Sequence, residues 1–278
     1  MAKKRLVKIS AAVMALVILS GCSILNKKDA ALPSIEVKDS YHILFVGNSL
    51  TLSGDVPKQV SVLAGMYGIT ITYGNMSTSG AWLKESEEYA IELMGKNNYD
   101  IAIFQDYGTG PFYPDIYDGV IRELCDAARD NGTVPVIFNP AWPMLDDGTP
   151  DEAYQAQLTA LYEKAAKANN AILVNAGDAW VYAYNKLPDI MLYLSTWDYH
   201  ANFKGAYLTA CTIVAALFDI HVTDLLDSSS MESRKKTRCF ESIHGQSLDL
   251  AQAAWEYVYY YKEHGKFPDE VVEIPQEQ

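Results

Sequence analysis

Short apolar runs alternate with stretches of helical period along most of the chain. The runs are HILFVGN (42–48), ITITYGNM (69–76), DIAIFQD (100–106), TVPVIFNP (133–140) and AILVNAG (171–177). Each is seven or eight residues long around a short apolar run, the length of a strand buried on both faces. Between them lie VPKQVSVLAGMYG, WLKESEEYAIELMGK, DIYDGVIRELCDAARDNG and DEAYQAQLTALYEKAAKANN, where apolar residues recur every three or four positions. Glycine or asparagine near the ends of several of these stretches suits helix C-termini. Two further helical patterns follow, GAYLTACTIVAALF (205–218) and LDLAQAAWEYVYYYKEHG (248–265), with SSSMESRKKTR (228–238) reading as an exposed loop between them. Strand alternating with helix predicts an α/β fold: a three-layer α/β/α sandwich around a five-stranded parallel sheet. In such sheets ligands bind beyond the carboxyl ends of the strands. Ser49, Gly80, Gln105 and the segment 139–143 all fall at that rim.

The first 40 residues do not share this pattern. Lys3, Lys4, Arg5 and Lys8 precede the apolar segment ISAAVMALVILSG, which is too short for a comfortable membrane span. It runs into LSGC (19–22), which resembles the lipobox of bacterial lipoproteins and implies an acylated Cys22. The expected organisation is therefore a signal peptide over 1–21, a lipidated cysteine and polar tether over 22–40, and one domain over 41–278. Such a protein is anchored to a membrane through its lipid alone and faces away from the cytoplasm. The formal net charge of −13 becomes more negative once the N-terminal cations are removed. No basic stripe remains to bind nucleic acid, and anionic headgroups would repel the body. Of the other cysteines, Cys125 and Cys211 sit in apolar helical patterns and Cys239 follows a basic run, with no CxxC spacing for zinc or redox work.

Candidate chemistry starts at the end of the first strand, in VGNSLTLSG (46–54). A serine at a strand-to-helix turn either caps the helix or presents its hydroxyl to a substrate. The elbow G-x-S-x-G of the larger hydrolase fold is not formed, because Thr51 stands at its second glycine. The five histidines, at 42, 200, 221, 244 and 264, show no metal-binding spacing. Only His200 has an informative setting: a polar loop, STWDYHANF, just before an apolar helix, with Asp198 two residues earlier.

Taken together, FVGNSLT, NMSTSGAWL and DYHANFKGAYLTA resemble the first, second and last blocks of the SGNH, or GDSL-type, hydrolases over about residues 41–218. The resemblance points to a bacterial branch of that family whose members are largely uncharacterised. It implies a three-layer parallel sandwich, a cofactor-free serine esterase mechanism, Ser49 as nucleophile and His200 as general base. It also implies that the N–H groups of Ser49 and Gly80 receive the oxyanion. Two blocks depart from the pattern. The third normally supplies G-x-N, whose asparagine completes the oxyanion hole, and here Gln105 is the nearest substitute. The last normally reads D-x-x-H, but Trp197 stands three residues before His200 and Asp198 is one position late. Either Asp198 still reaches the imidazole, or the site runs as a Ser–His pair oriented by a backbone carbonyl.

Trp82, Tyr107, Phe112, Tyr113, Trp142, Trp197 and Tyr199 line the same rim. Flat rings beside polar groups suit stacking on sugar faces, or they pack the loops down. The expected substrate is a small ester or acylated glycan losing a short acyl group such as acetyl, bound by Trp82, Tyr107, Trp142, Trp197 and Tyr199. Two other classes stay open: a glycan-binding lipoprotein with impaired catalysis, and a flavodoxin-like phosphate binder using the hydroxyl-rich turn. Nothing in the sequence fixes an oligomeric state.

Overall fold

The computed structural model describes residues 34–140, 144–223 and 246–264. Cys22, Trp142, Cys239 and His244 lie outside the described residues, so the lipidation and Trp142 expectations do too.

A five-stranded parallel sheet in the order β2-β1-β3-β4-β5 forms the centre, from β1 (Ser40–Gly47), β2 (Thr70–Ser77), β3 (Ile101–Phe104), β4 (Val134–Asn139) and β5 (Ile172–Asn175). Strand β1 is hydrogen-bonded on both sides, Leu44 pairing with Gly74 of β2 and Ala102 of β3. Side chains alternate across the pleat, and the two faces feed two separate cores. Ile43, Phe45, Ile101, Ile103, Val136 and Phe138 point to one face. They pack there on α2 (Val56–Met66), α6 (Ala176–Lys186), α7 (Phe203–Phe218) and α8 (Ser247–His264). Leu44, Val46, Ala102, Phe104 and Ile137 point to the other, against α3 (Leu83–Lys96), α4 (Pro114–Asp130) and α5 (Glu152–Ala168). This is the expected three-layer α/β/α sandwich.

The structure adds detail at three places. Helix α6 follows β5 without a turn, and Asn175 caps it by accepting from Asp178 N–H at 3.5 Å. The C-terminal helix α8 is part of a layer, since Leu250, Ala254 and Tyr257 share a core with α7. Residues 35–38, read as tether, touch the domain. Ile35 packs on the core, Tyr41 Oη donates to Glu36 C=O at 2.8 Å, and Lys38 Nζ reaches Asp100 at 2.8 Å.

The element that matters most for the site is a hairpin of β6 (Tyr193–Ser195) and β7 (Asp198–Ala201), with Ser195 paired to Asp198 across a two-residue turn. It is held to the start of α7 by Asn202. That side chain caps α7 by accepting from Lys204 and Gly205 N–H, and its Nδ2 donates to the carbonyls of Met191 and Tyr193. Gly205 permits the close approach: a Cβ there would lie 2.4 Å from Leu192 O and 2.4 Å from the Trp180 ring.

Candidate active site

Strand β1 ends at Gly47, and Ser49 opens the single-turn helix α1 (Ser49–Leu52). Asn48 between them is the helix cap, its Oδ1 accepting from Leu50 N–H at 3.0 Å. Capping therefore falls to Asn48, which leaves the Ser49 hydroxyl for another partner. That partner is His200: its Nε2 lies 2.8 Å from Ser49 Oγ.

His200 sits on β7, two residues after Asp198. On a strand, residues i and i+2 project to the same side, so both side chains face the same way. Asp198 Oδ1 lies 2.6 Å from His200 Nδ1 and also accepts the His200 backbone N–H at 3.0 Å. These two bonds hold the Asp198 carboxyl below the usual carboxylate range, the backbone donor contributing most. The D-x-H spacing thus has a local reading: the carboxylate and the imidazole meet because they share strand β7. Tyr199 lies against the imidazole, ring centroids 5.5 Å apart and planes 27° apart.

Among the described residues, neither the Ser49 nor the Gly80 backbone N–H has a hydrogen-bond acceptor. Gly80 takes a left-handed φ of +74° in the turn Thr78–Ala81, closed by Ala81 N–H to Thr78 O at 3.1 Å. Two bonds join this turn to the residues just before Ser49: Thr78 N–H to Gly47 O at 3.1 Å, and Asn48 Nδ2 to Ala81 O at 3.0 Å. Free N–H donors beside a nucleophile at a helix start are suited to developing negative charge.

Gln105 stands elsewhere than an oxyanion donor would. It is 1% exposed, and its Nε2 hydrogens are directed at Asn48 Oδ1, at 3.0 Å, and at the Asp106 carbonyl. With both N–H bonds committed inside the protein, it has no proton to offer an oxyanion.

Sequence reading missed Asp106. Its Oδ1 accepts the N–H of Leu83 and of Tyr107, each at 2.7 Å, so it caps α3 across space and ties β3's exit to the Trp82 loop. Burial pushes its carboxyl up despite those bonds. A capping residue distant in sequence leaves no local signature, because the familiar cap pattern is read from contiguous residues.

The described aromatic candidates fall in separate places. Trp82 stacks on Tyr107, at 5.2 Å and 13°, and meets Tyr113 edge-on at 5.4 Å. The Tyr199 hydroxyl pKa is raised first by burial and then by the neighbouring Tyr107. Trp197, at the tip of the hairpin, is 87% exposed. Phe112 is drawn away from this group to pack on Tyr154, 5.2 Å between centroids.

No protein-family model matches the chain, and no curated protein matches it. Solved structures do resemble it. A DUF4886 family protein from Bacteroides uniformis superposes with a TM-score of 0.65 at 20% identity, over 84% of this chain and 98% of that one. A catalytic mutant of an acetylxylan esterase from Geobacillus stearothermophilus gives 0.52 at 15% identity, over 64% of this chain and 94% of that one. An acetyl-xylooligosaccharide esterase from Geobacillus gives 0.51 at 16% identity, with the same coverage. Identities this low establish a shared fold alone, here the α/β architecture around a five-stranded parallel sheet.

Proposed function

We propose that the protein is a serine esterase of SGNH type that removes short acyl groups, such as acetyl, from a glycan. The carrying observation is the continuous relay Asp198 Oδ1–His200 Nδ1, 2.6 Å, and His200 Nε2–Ser49 Oγ, 2.8 Å, beside two unpartnered N–H groups. A serine hydroxyl is a weak nucleophile until a base takes its proton as the new bond forms. In this reading Ser49 Oγ attacks the ester carbonyl while Nε2 accepts the proton. The imidazolium is stabilised by Asp198, and the oxyanion is received by Ser49 and Gly80 N–H. Collapse breaks the C–O bond, and the imidazolium returns its proton to the departing sugar oxygen. Water, deprotonated by His200, then attacks the acyl-Ser49, and the acid leaves with the serine restored.

The glycan half of the proposal is supported by the aromatic faces. Trp197 offers an open ring beside the acid, and the half-buried Trp82 stacked on Tyr107 forms a second surface. Open or half-buried rings next to a hydrolytic centre suit sugar faces, whose C–H groups stack while hydroxyls stay solvated. The neighbours named as acetylxylan and acetyl-xylooligosaccharide esterases suggest the same substrate class. The LSGC sequence adds a location to the proposal: an anchor at Cys22 holding the enzyme at a membrane surface outside the cytoplasm.

A fluorophosphonate probe tests the reaction. Covalent labelling of the wild type, abolished by Ser49→Ala, is expected. An unlabelled wild-type protein that still binds acetylated xylo-oligosaccharides would replace the esterase with a glycan-binding protein.

A further inference from the structure

The end of β3 carries a buried side chain that the mechanism above does not use. Gln105 makes bonds through both ends of its amide. Its Oε1 accepts from Asn48 N–H at 3.0 Å and from Thr51 Oγ1 at 2.7 Å, while its Nε2 donates to Asn48 Oδ1 at 3.0 Å and to the Asp106 carbonyl. Two of the four bonds grip the one residue between Gly47 and the nucleophile. Asn48 itself is 1% exposed, and its side chain bridges Leu50 N–H on one side and Ala81 C=O on the other.

We infer that Gln105 is a positioning residue of the oxyanion hole, holding the Ser49 and Gly80 N–H groups in register with each other through Asn48. The inference rests on the serine-esterase reading of the site. Its logic follows the bonds. Gln105 Oε1 fixes the Gly47–Asn48 peptide plane, and the next peptide carries the Ser49 N–H. Gln105 Nε2 orients the Asn48 amide so that its nitrogen faces Ala81 O, which fixes the turn holding Gly80. One buried amide therefore governs both donors, though it touches neither.

Two neighbours are shaped to admit it. A Cβ at Gly47 would fall 2.7 Å from Gln105 Oε1 and 2.6 Å from Thr51 Oγ1, so only glycine lets the amide come this close to the strand end. A glutamate would not substitute for it. The oxygen replacing Nε2 would then face Asn48 Oδ1 and the Asp106 carbonyl, acceptor against acceptor, with both bonds from Nε2 lost. The amide is needed because acceptors lie on one side and donors on the other.

The test uses Gln105→Glu and Gln105→Leu in the full chain, with p-nitrophenyl acetate as substrate and active sites counted by fluorophosphonate titration. A donor displaced by about 1 Å loses transition-state stabilisation while ground-state binding persists, so kcat per titrated site should fall about a hundredfold. KM should change little. Affinity for a phenylboronate, whose tetrahedral adduct places an oxygen in the hole, should weaken by a similar factor. For Gln105→Glu the ratio of variant to wild-type kcat should rise as pH falls, because a protonated carboxyl regains a donor. A merely structural role would instead lower the fraction of titrated sites and leave kcat per site unchanged, and that result overturns the inference. A wild type that the probe does not label overturns both this inference and the esterase reading. Labelled variants with unchanged kcat overturn this one alone. If Gln105→Leu fails to fold, Thr51→Val removes one bond to Oε1 at nearly constant volume, and a fall in kcat without a change in KM is again expected.

Discussion

Asp198→Asn discriminates sharply between two ways in which the acid could serve His200. In a buried triad, the amide replacement favours the wrong imidazole tautomer and costs about four orders of magnitude. Here a single oxygen, Oδ1, accepts both the ring Nδ1–H and the backbone N–H of His200. An asparagine can place its one carbonyl oxygen at the same point and keep both bonds, so the tautomer survives and only the charge is lost. The Asp198 side chain is 45% exposed and that of His200 29%. At about 4 Å separation, a carboxylate–imidazolium pair is worth about 4 kcal/mol at an effective dielectric of 20 and about 1 kcal/mol in water. With the acid this open to solvent, the lower end applies, about 1–2 kcal/mol, which is about a 5- to 30-fold loss of kcat. Asp198→Ala removes the bonds as well and should cost about 100- to 1000-fold. Because the carboxyl is held below its usual range, it stays charged through the neutral region. The Asn penalty should therefore be constant there and vanish only as acid protonates the wild-type Asp198. Steady-state kinetics of both variants from mildly acidic to neutral pH decide the matter. If Asp198→Asn is as damaging as Asp198→Ala, the shared-acceptor geometry is wrong. If both are silent, Asp198 is not the acid.

Ser49→Ala and His200→Ala should each lower kcat by about 1000-fold or more, and the double variant by little more, because the two act as one unit; near-additive losses would argue against that coupling. Trp197→Ala should raise KM for acetylated xylo-oligosaccharides while leaving kcat on p-nitrophenyl acetate unchanged, and Trp197→Asp should not raise activity, since Asp198 already reaches Nδ1. Gly205→Ala should destabilise by about 1–3 kcal/mol in urea unfolding, because the added methyl meets the Leu192 carbonyl and the Trp180 ring, 2.4 Å from each; an unchanged midpoint would mean that α7 shifts freely. Cys22→Ala should move the protein from the detergent phase to the aqueous phase with its fold intact, and a wild type found wholly in the aqueous phase would remove the anchor.

The five strands were legible because a parallel sheet covered on both faces needs continuous apolar runs, and HILFVGN or TVPVIFNP admits few other readings. The helices of α2 to α5 were legible from their period. Helix α6 escaped notice because β5 runs into it at Asn175–Ala176 with no turn residues to mark the change. Its apolar positions, Ala176, Ala179, Trp180 and Ala183, have helical spacing but begin inside what reads as strand. Gln105 was legible as a site residue by position and not by role. A sequence shows that an amide stands where an asparagine is expected. It does not show that the longer side chain turns back beneath the nucleophile and reaches Asn48.

The hairpin shows why spacing alone left the partner of His200 open. A carboxylate and a histidine three residues apart can meet on a turn of helical character, where i and i+3 are neighbours. Two residues apart, they meet on a strand. Whether DYH or WDYH carries the useful pair therefore depends on the backbone conformation of residues 193–201, and YLSTWDYHA sends a mixed signal. Its tyrosines, leucine and threonine favour a strand, but its turn, Thr196–Trp197, lacks the glycine, asparagine or aspartate that usually marks a two-residue hairpin. Once β6 pairs with β7, Asp198 and His200 must share a face, and residue 197 falls at the turn, where its side chain is exposed. The tryptophan three residues before His200 is then no defect in the contact between Asp198 and the imidazole. The same change of backbone that places Asp198 on the strand with His200 puts residue 197 at the exposed tip of the hairpin.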